Sequence, residues 1–234
     1  AWTTSWGTST RMIGGMIMVH SDDDGLIMPP RVAPAHVVIL PIIKRGGDNT
    51  GVMESVNSLK QALRAVDFHG RRVEVEIDAR DIGGARGWDW VKKGIPVRIE
   101  LGPRDIDNNS VFMARRDTNE KRSLDRDAFI NGIAALLDNI QETLFQRALQ
   151  FRADHTLSID SNKAFYKLFT KAKGYANGAV VYSHWCGSKA CEEKIKKDLS
   201  VTIRCIPFDS PAEEGACICC GNESFKRVLF AKAY

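Results

Sequence analysis

Cysteine is missing from the first 185 residues of this 234-residue chain; all six lie between Cys186 and Cys220. A disulfide-stapled secreted scaffold spreads its cysteines through a short chain, so this distribution points instead to metal in one late segment. Long apolar runs are missing too, and none approaches the ~20 residues that a membrane-spanning helix needs. The first 30 residues lack the basic start and apolar core of a signal peptide, because Asp22-Asp23-Asp24 interrupts their one apolar stretch. These absences set the expectation of a cytoplasmic protein with no membrane contact. Neither charge sign dominates: 33 Lys+Arg against 29 Asp+Glu give a net charge of +4. So mild a balance tolerates an anionic partner without demanding one. Internal repeats and low-complexity segments are also lacking.

What is present is the composition of an ordinary globular protein, 44% hydrophobic and 26% charged, with room for one large or two modest domains. Thr4 to Arg11 reads as a strand entering a Gly-rich turn, and Met12-Ile13-Gly14-Gly15 as the start of an apolar helix. Asp22-Asp23-Asp24-Gly25 breaks that helix. Met28-Pro29-Pro30-Arg31 then reads as an extended linker, since residues before proline are pushed out of the α region. A boundary near residue 33 follows.

Beyond it, strands and helices alternate. Val37-Val38-Ile39-Leu40 has the look of a buried strand, and Val52, Val56, Leu59, Leu63 and Val66 fall at helical spacing. Val73 to Ile77 and Ile95 to Leu101 alternate with period two, Ser110 to Arg115 is a short strand, and a long helix is expected over 124–151. This order predicts a mixed, mostly parallel α/β domain of βαβ units over 33–153. A small α+β domain over 154–234 follows, with helices at 161–173 and 188–198 and strands at 178–183, 201–206 and 224–230. Residues 1–32 precede both.

Two motifs carry chemistry. An arginine at the mouth of a strand, among Gly and Ser/Thr, can pair with phosphate oxygens while the backbone approaches closely; the bland reading of Arg11 is a surface arginine beside a turn. The second is Cys186-Gly187-Ser188-Lys189-Ala190-Cys191, followed after 25 residues by Cys217-Ile218-Cys219-Cys220-Gly221. Two such knuckles can bring four thiolates around one tetrahedral Zn²⁺. Cys205 reads as a buried strand cysteine. His20, His36, His69 and His155 are scattered, and His184 is a conceivable ligand that four thiolates would make unnecessary.

Taken together, Thr4 to Gly15, His20-Ser21-Asp22-Asp23, Gly25-Leu26 and Pro29-Pro30-Arg31 resemble the motif 3 region of class II aminoacyl-tRNA synthetases. More narrowly they resemble prolyl-tRNA synthetases of the archaeal and eukaryotic type, which also occur in some bacteria. The resemblance implies that Arg11 grips ATP phosphate with Thr10 beside it, and that Trp6 and Gly7 floor a prolyl-adenylate pocket. It makes the middle region an anticodon-binding domain, in which Glu76 to Asp81, Gly87 to Glu100 and Gly102 to Asp105 resemble the anticodon-contacting region. Glu76, Arg80, Lys93 and Arg104 are the RNA-binding candidates there. Ile77, Val97 and Ile99 belong to the core, and Trp90 is divided between core and stacking surface. The loop Ile82 to Arg86 departs from the common family spacing.

The resemblance also implies a structural Zn²⁺ on Cys186, Cys191, Cys217 and Cys220, with Cys219 pointing away, although its place beside Cys220 leaves another register open. In the intact family enzyme proline joins its tRNA through prolyl-adenylate, with ATP and Mg²⁺, in a homodimer. The chain is then expected to be the C-terminal part, binding proline tRNA through the anticodon stem-loop and inactive alone. Terminal Tyr234 would tuck toward an active site in the family; a frayed end suits this chain better. Two other readings stand beside this one: an accessory RNA-binding protein built on an anticodon-domain fold, and a zinc-knuckle protein with a protein partner.

Overall fold

The computed structural model describes residues 1–43, 46–170 and 178–232. The chain divides into two compact units, Ala1–Ala148 and Leu149 onward. The end of the helix expected over 161–173, and Tyr234, lie outside the described residues.

The first regular element is a helix, Arg11–His20 (α1), which buries none of its residues. The strand expected through Thr4 to Arg11 does not form. A strand must pair its backbone N–H and C=O groups with a neighbour, and residues 1–9 lie exposed without regular structure.

The segment after α1, by contrast, is fixed rather than a free linker. Leu26 N–H donates to Lys92 O (3.1 Å) and Met28 N–H to Gly94 O (3.0 Å). Gly94 has φ +74°, and a Cβ there would meet the Leu26 carbonyl oxygen at 2.5 Å, so only glycine allows this approach. The buried Arg116 guanidinium donates to Asp22 Oδ2 (2.8 Å), Gly25 O (3.1 Å) and Val91 O (3.2 Å), which clamps the turn from a second side.

Val37–Pro41 (β1) is buried at all five positions, as a strand covered on both faces must be. Thr50–Arg64 (α2) lays Val52, Val56, Leu59 and Leu63 on one face. The short hairpin Asp67–Phe68 (β2) and Arg71–Arg72 (β3) leads to Val75–Ile77 (β4). Ala85–Lys92 (α3), Val97–Leu101 (β5), Pro103–Asp107 (α4), Ser110–Arg115 (β6) and Lys121–Asp125 (β7) follow. Arg126–Asp154 (α5) is next, and the division between the units falls within it.

The sheet order is β4-β1-β5-β6-β7, with β1 parallel to β4 and β5, and β6 and β7 added antiparallel. One face packs on α2 and α5: Val37, Ile39, Val97, Ile99 and Met113 meet Val56, Leu59, Ile133, Leu137 and Ile140 in one cluster. On the other face Val38 and Leu40 meet Ile95 and the α3 residue Trp90. The connection from β1 to β4 runs through α2 on the first face. The next, from β4 through α3, leads to β5 on the opposite side of β1, so the chain reverses direction across the sheet at β1.

In the second unit, Thr156–Ser158 (β8), Asn162–Thr170 (α6), Val180–His184 (β9), Lys189–Leu199 (α7), Val201–Cys205 (β10), Gly215–Ala216 (β11), Glu223–Ser224 (β12) and Arg227–Lys232 (β13) follow in order. Its main sheet is β10-β13-β9-β8, with only β8 and β9 parallel. The core is small: Phe165, Phe169, Val181, Ile195, Leu199, Val201, Ile218, Val228 and Phe230. Cys205 is exposed rather than buried. A register shift between Ile203 and Cys205 breaks the inward alternation at the end of β10. Among the described residues no helix is long and apolar enough to cross a membrane.

Candidate nucleic-acid interface and metal centre

In an open α/β sheet, ligands settle outside the carboxyl ends of the strands where the connections part to opposite faces. In the first unit that place is a crevice of about 360 Å³. The end of β1 (Leu40 to Ile43), the loop after β4 (Arg80, Asp81, Gly83 and Gly84), Arg86, Gly87 and Glu100 line it. Arg86 holds the loop to the sheet by donating to Pro41 O (2.9 Å).

Glu76 lies on β4, and Asp78 and Arg80 follow the end of the strand. Asp78 organises this strand end. Its carboxylate accepts from Arg80 Nε (3.0 Å) and Nη2 (2.7 Å), from Arg80 N–H (3.1 Å), and from the Trp90 indole N–H (2.7 Å). Arg80 reaches Asp89 as well (3.2 Å). The Arg80 guanidinium, helped by Trp90 and the Arg80 amide, holds the Asp78 carboxyl well below the usual carboxylate range despite its burial. Lys93 Nζ stands 4.4 Å from the centre of the Trp90 ring, a cation–π distance.

Of the four candidates, the structure links Arg80 and Lys93 through Asp78 and Trp90. Glu76 is exposed on β4 beside Val38, whose other neighbour, Arg98, donates to Gly87 O (3.2 Å). Arg104 stands exposed on α4, outside this network. Trp90 packs its ring against Val38 and Leu40, the core role, and places its N–H in the polar network. Trp88, about half exposed, offers a ring face to solvent. Sequence reasoning passed over Asp78, Arg86 and Arg98. The spacing of Asp78 and Arg80, two apart at a strand end, is the signal that could have exposed the first.

The N-terminal candidates gather into nothing. Trp6 is 94% exposed, Gly7 meets no neighbour, Thr10 precedes the first turn of α1, and Arg11 begins it, exposed. They are not among the residues that line the switch-point crevice.

In the second unit the sulfurs of Cys186, Cys191, Cys217 and Cys220 all lie within 4.8 Å of one another. Cys186 Sγ is 3.8 Å from Cys191 Sγ and 3.7 Å from Cys220 Sγ. A tetrahedron with metal–sulfur bonds of ~2.3 Å has edges of about 3.8 Å, so the donor set suits a tetrahedral thiophilic metal with small side-chain adjustments. Two elements bring the knuckles together. Cys186 ends β9 through a turn at Gly187 (φ +82°), and Cys191 lies in the first turn of α7. Cys217 to Gly221 join β11 to β12, with Gly221 N–H on Cys217 O (2.9 Å) and Cys217 N–H on Asn222 O (2.8 Å).

Ile218 N–H donates to His184 O (2.9 Å), and the Ser224 hydroxyl to Trp185 O (2.8 Å), which ties one knuckle to the other. Burial pushes the Cys217 thiol up, but the amides of Cys220, Cys219 and Cys186 aimed at its sulfur outweigh that and lower it to about 7. Burial, with the neighbouring thiols, pushes Cys191 up. Cys219 packs on the apolar cluster instead. His184 is buried against Gly215 and faces Glu213 at 3.7 Å, outside the four-sulfur group.

The chain thus offers a polar crevice at the switch point of a mixed sheet and, in its second unit, four sulfurs that could hold a metal. The family comparisons are specific: residues 36–136 match the anticodon binding domain, and residues 170–234 match prolyl-tRNA synthetase, C-terminal. The chain carries these two domains in that order. It is 47% identical over 244 residues to proline–tRNA ligase 2 of Anaeromyxobacter dehalogenans, covering 100% of this chain and 48% of that protein. Against the proline–tRNA ligases of Bdellovibrio bacteriovorus and Akkermansia muciniphila it is 44% and 43% identical, again over 100% of this chain and 47% of each relative. The chain spans about half the length of the curated relatives it matches.

Proposed function

We propose that this chain serves a cytoplasmic proline–tRNA ligase of the archaeal and eukaryotic type, reading the anticodon of proline tRNA on the α3 face of its first unit. The observation that carries the reading is the Arg80–Asp78–Trp90–Lys93 network beside a switch-point crevice, within the segment that matches an anticodon binding domain. Unpaired bases are recognised by stacking and by hydrogen bonds to their exposed edges. A carboxylate such as Glu76 can accept from guanine N1 and N2, and cations such as Lys93 and Arg104 can reach guanine O6 and N7 or a phosphate. Trp88 offers a stacking face. Asp78 and Trp90 position Arg80 and Lys93.

The second unit holds a structural Zn²⁺ on Cys186, Cys191, Cys217 and Cys220. With four protein ligands no position is open to water, so the ion contributes folding energy rather than Lewis acidity. In the whole ligase, Arg11 would grip ATP phosphate, with Thr10 beside it and Trp6 and Gly7 at the prolyl-adenylate, in a Mg²⁺-dependent homodimer. In this chain those four residues lie exposed. The 234-residue polypeptide is therefore expected to bind RNA and to show no proline-dependent ATP–pyrophosphate exchange; measurable exchange would contradict this.

The anticodon reading is tested by titrating a proline anticodon stem-loop into the chain and into its K93A and R104A variants. Each substitution is expected to weaken binding by ~1–3 kcal/mol if the side chain touches a base. Unchanged affinity in both would return these residues to a solvated surface.

A further inference from the structure

The net charge of +4 is not shared between the units. Residues 1–148 hold twenty lysines and arginines against twenty aspartates and glutamates, whereas residues 149–234 hold thirteen against nine. Many arginines of the first unit are also spent internally: Arg80 on Asp78 and Asp89, Arg115 on Asp117, Arg116 on Asp22, and Arg64 and Arg72 on Glu74. The whole excess belongs to the second unit.

Part of it collects on the outward face of α6 and α7. Lys163 and Lys167 are one helical turn apart on α6, exposed on either side of Tyr166. The Tyr166 hydroxyl donates to Asp198 Oδ2 on α7 (2.8 Å), which fixes the two helical faces side by side. Lys194 meets the same carboxylate (2.9 Å). Lys197 immediately precedes Asp198, and its charge joins Lys194 and Tyr166 in holding the Asp198 carboxyl below its usual range. Lys194 and Lys197 thus act on this carboxylate directly, and Lys163 and Lys167 lie on the helix of its third partner, Tyr166. Among the described residues Lys163, Lys167 and Lys197 make no ion pair of their own.

We propose that this lysine face is a second RNA contact surface, binding the sugar–phosphate backbone of the same tRNA outside its anticodon stem-loop. The proposal rests on the reading that the chain binds proline tRNA. Lysines suit the task because a flexible, compact charge meets a phosphate without the planar geometry that base-edge reading by arginine exploits. Such contacts are independent of sequence and release counterions, so they reveal themselves through salt.

The test uses the full 234-residue chain, full-length proline tRNA and the isolated anticodon stem-loop, each titrated across a range of KCl. In K163Q/K167Q/K197Q, with folding checked by circular dichroism, the Kd for full-length tRNA should rise about tenfold at low salt. The slope of log K against log[KCl] should become shallower by about two to three, while stem-loop affinity stays unchanged. K189Q/K226Q/K232Q removes the same charge elsewhere in the unit and should change the slope little.

An unchanged affinity and slope in the first variant would overturn the proposal. So would equal losses for stem-loop and full tRNA, or matching losses in the two variants, which would reduce the face to bulk charge. Retained tRNA binding with lost binding of an acidic polypeptide such as polyglutamate would also overturn it, reassigning the face to protein. If the parent chain binds full-length tRNA through these lysines but ignores the stem-loop, the lysine face stands and the anticodon reading falls.

Discussion

The two units reach stability by different means. The first builds one continuous apolar cluster from both sheet and helices, drawing on α2, α5 and five strands. The second has, among the described residues, a core cluster of nine and, in the same unit, four thiols gathered within 4.8 Å of one another. A small core buries too little apolar surface to offset chain entropy comfortably, so units of this size draw on metal or cross-links. The comparison teaches where each unit is vulnerable: the first to cavities and buried charge, the second at its four-cysteine group.

The largest effect should come from the cysteines. Chelating the Zn²⁺ proposed for this unit, or the substitution Cys191→Ser, should abolish amide hydrogen-exchange protection in β9, α7 and β13 while protection in β1 and β5 persists. A second unit that stays protected without metal would erase the contrast. Next, Leu137→Ala, fully buried on α5, should destabilise the first unit by ~2–5 kcal/mol in urea unfolding and leave metal content unchanged.

A pH effect should follow. His36 is fully buried, its Nδ1 accepts from Glu74 N–H (2.8 Å), and burial together with nearby Arg71 lowers it to about 4. The unfolded chain takes up this proton near pH 6.5 and the folded one only near 4. Stability from this group is therefore complete above about 6.5 and lost as pH falls toward 4, by up to about 3 kcal/mol. His36→Gln should flatten that slope in the first unit alone. Smallest in expected size is Asp78→Asn. It removes the charge that orders Arg80 and should weaken stem-loop binding about tenfold, near 1.4 kcal/mol, with zinc content unaffected.

Much of the first unit was legible because its long elements carry strong periodicity. β1 is a continuous apolar run, and of the stripes the periodicity marks around α2 and α5, Val52, Val56, Leu59, Leu63, Ile133, Leu137, Ile140 and Leu144 become buried while Val66, Leu136 and Leu149 stay partly exposed. Short elements escaped. β7 exposes four of its five residues, so no alternation marks it, and α3 mixes glycine, tryptophan and charge because it serves the crevice as well as the core. Cys205 misled because a strand pattern predicts burial only until a bulge ends it.

The two clearest motifs ended differently. The cysteines collect because β9, α7 and the β11–β12 turn hold them together. Residues 1–9 form no strand because that requires a neighbour which the motif itself does not supply. Asp78 was hidden for a related reason: its meaning lies in Trp90, twelve residues away.

The central claim is that the first unit reads a proline anticodon, and one titration tests it most directly. The 234-residue chain is titrated with a proline anticodon stem-loop and with the same hairpin in which the two anticodon guanines are replaced by adenines. The account predicts that replacement weakens binding by about tenfold or more, since the donors at N1 and N2 and the acceptor at O6 are lost or reversed. Equal affinity for the two hairpins at the same salt concentration would contradict it.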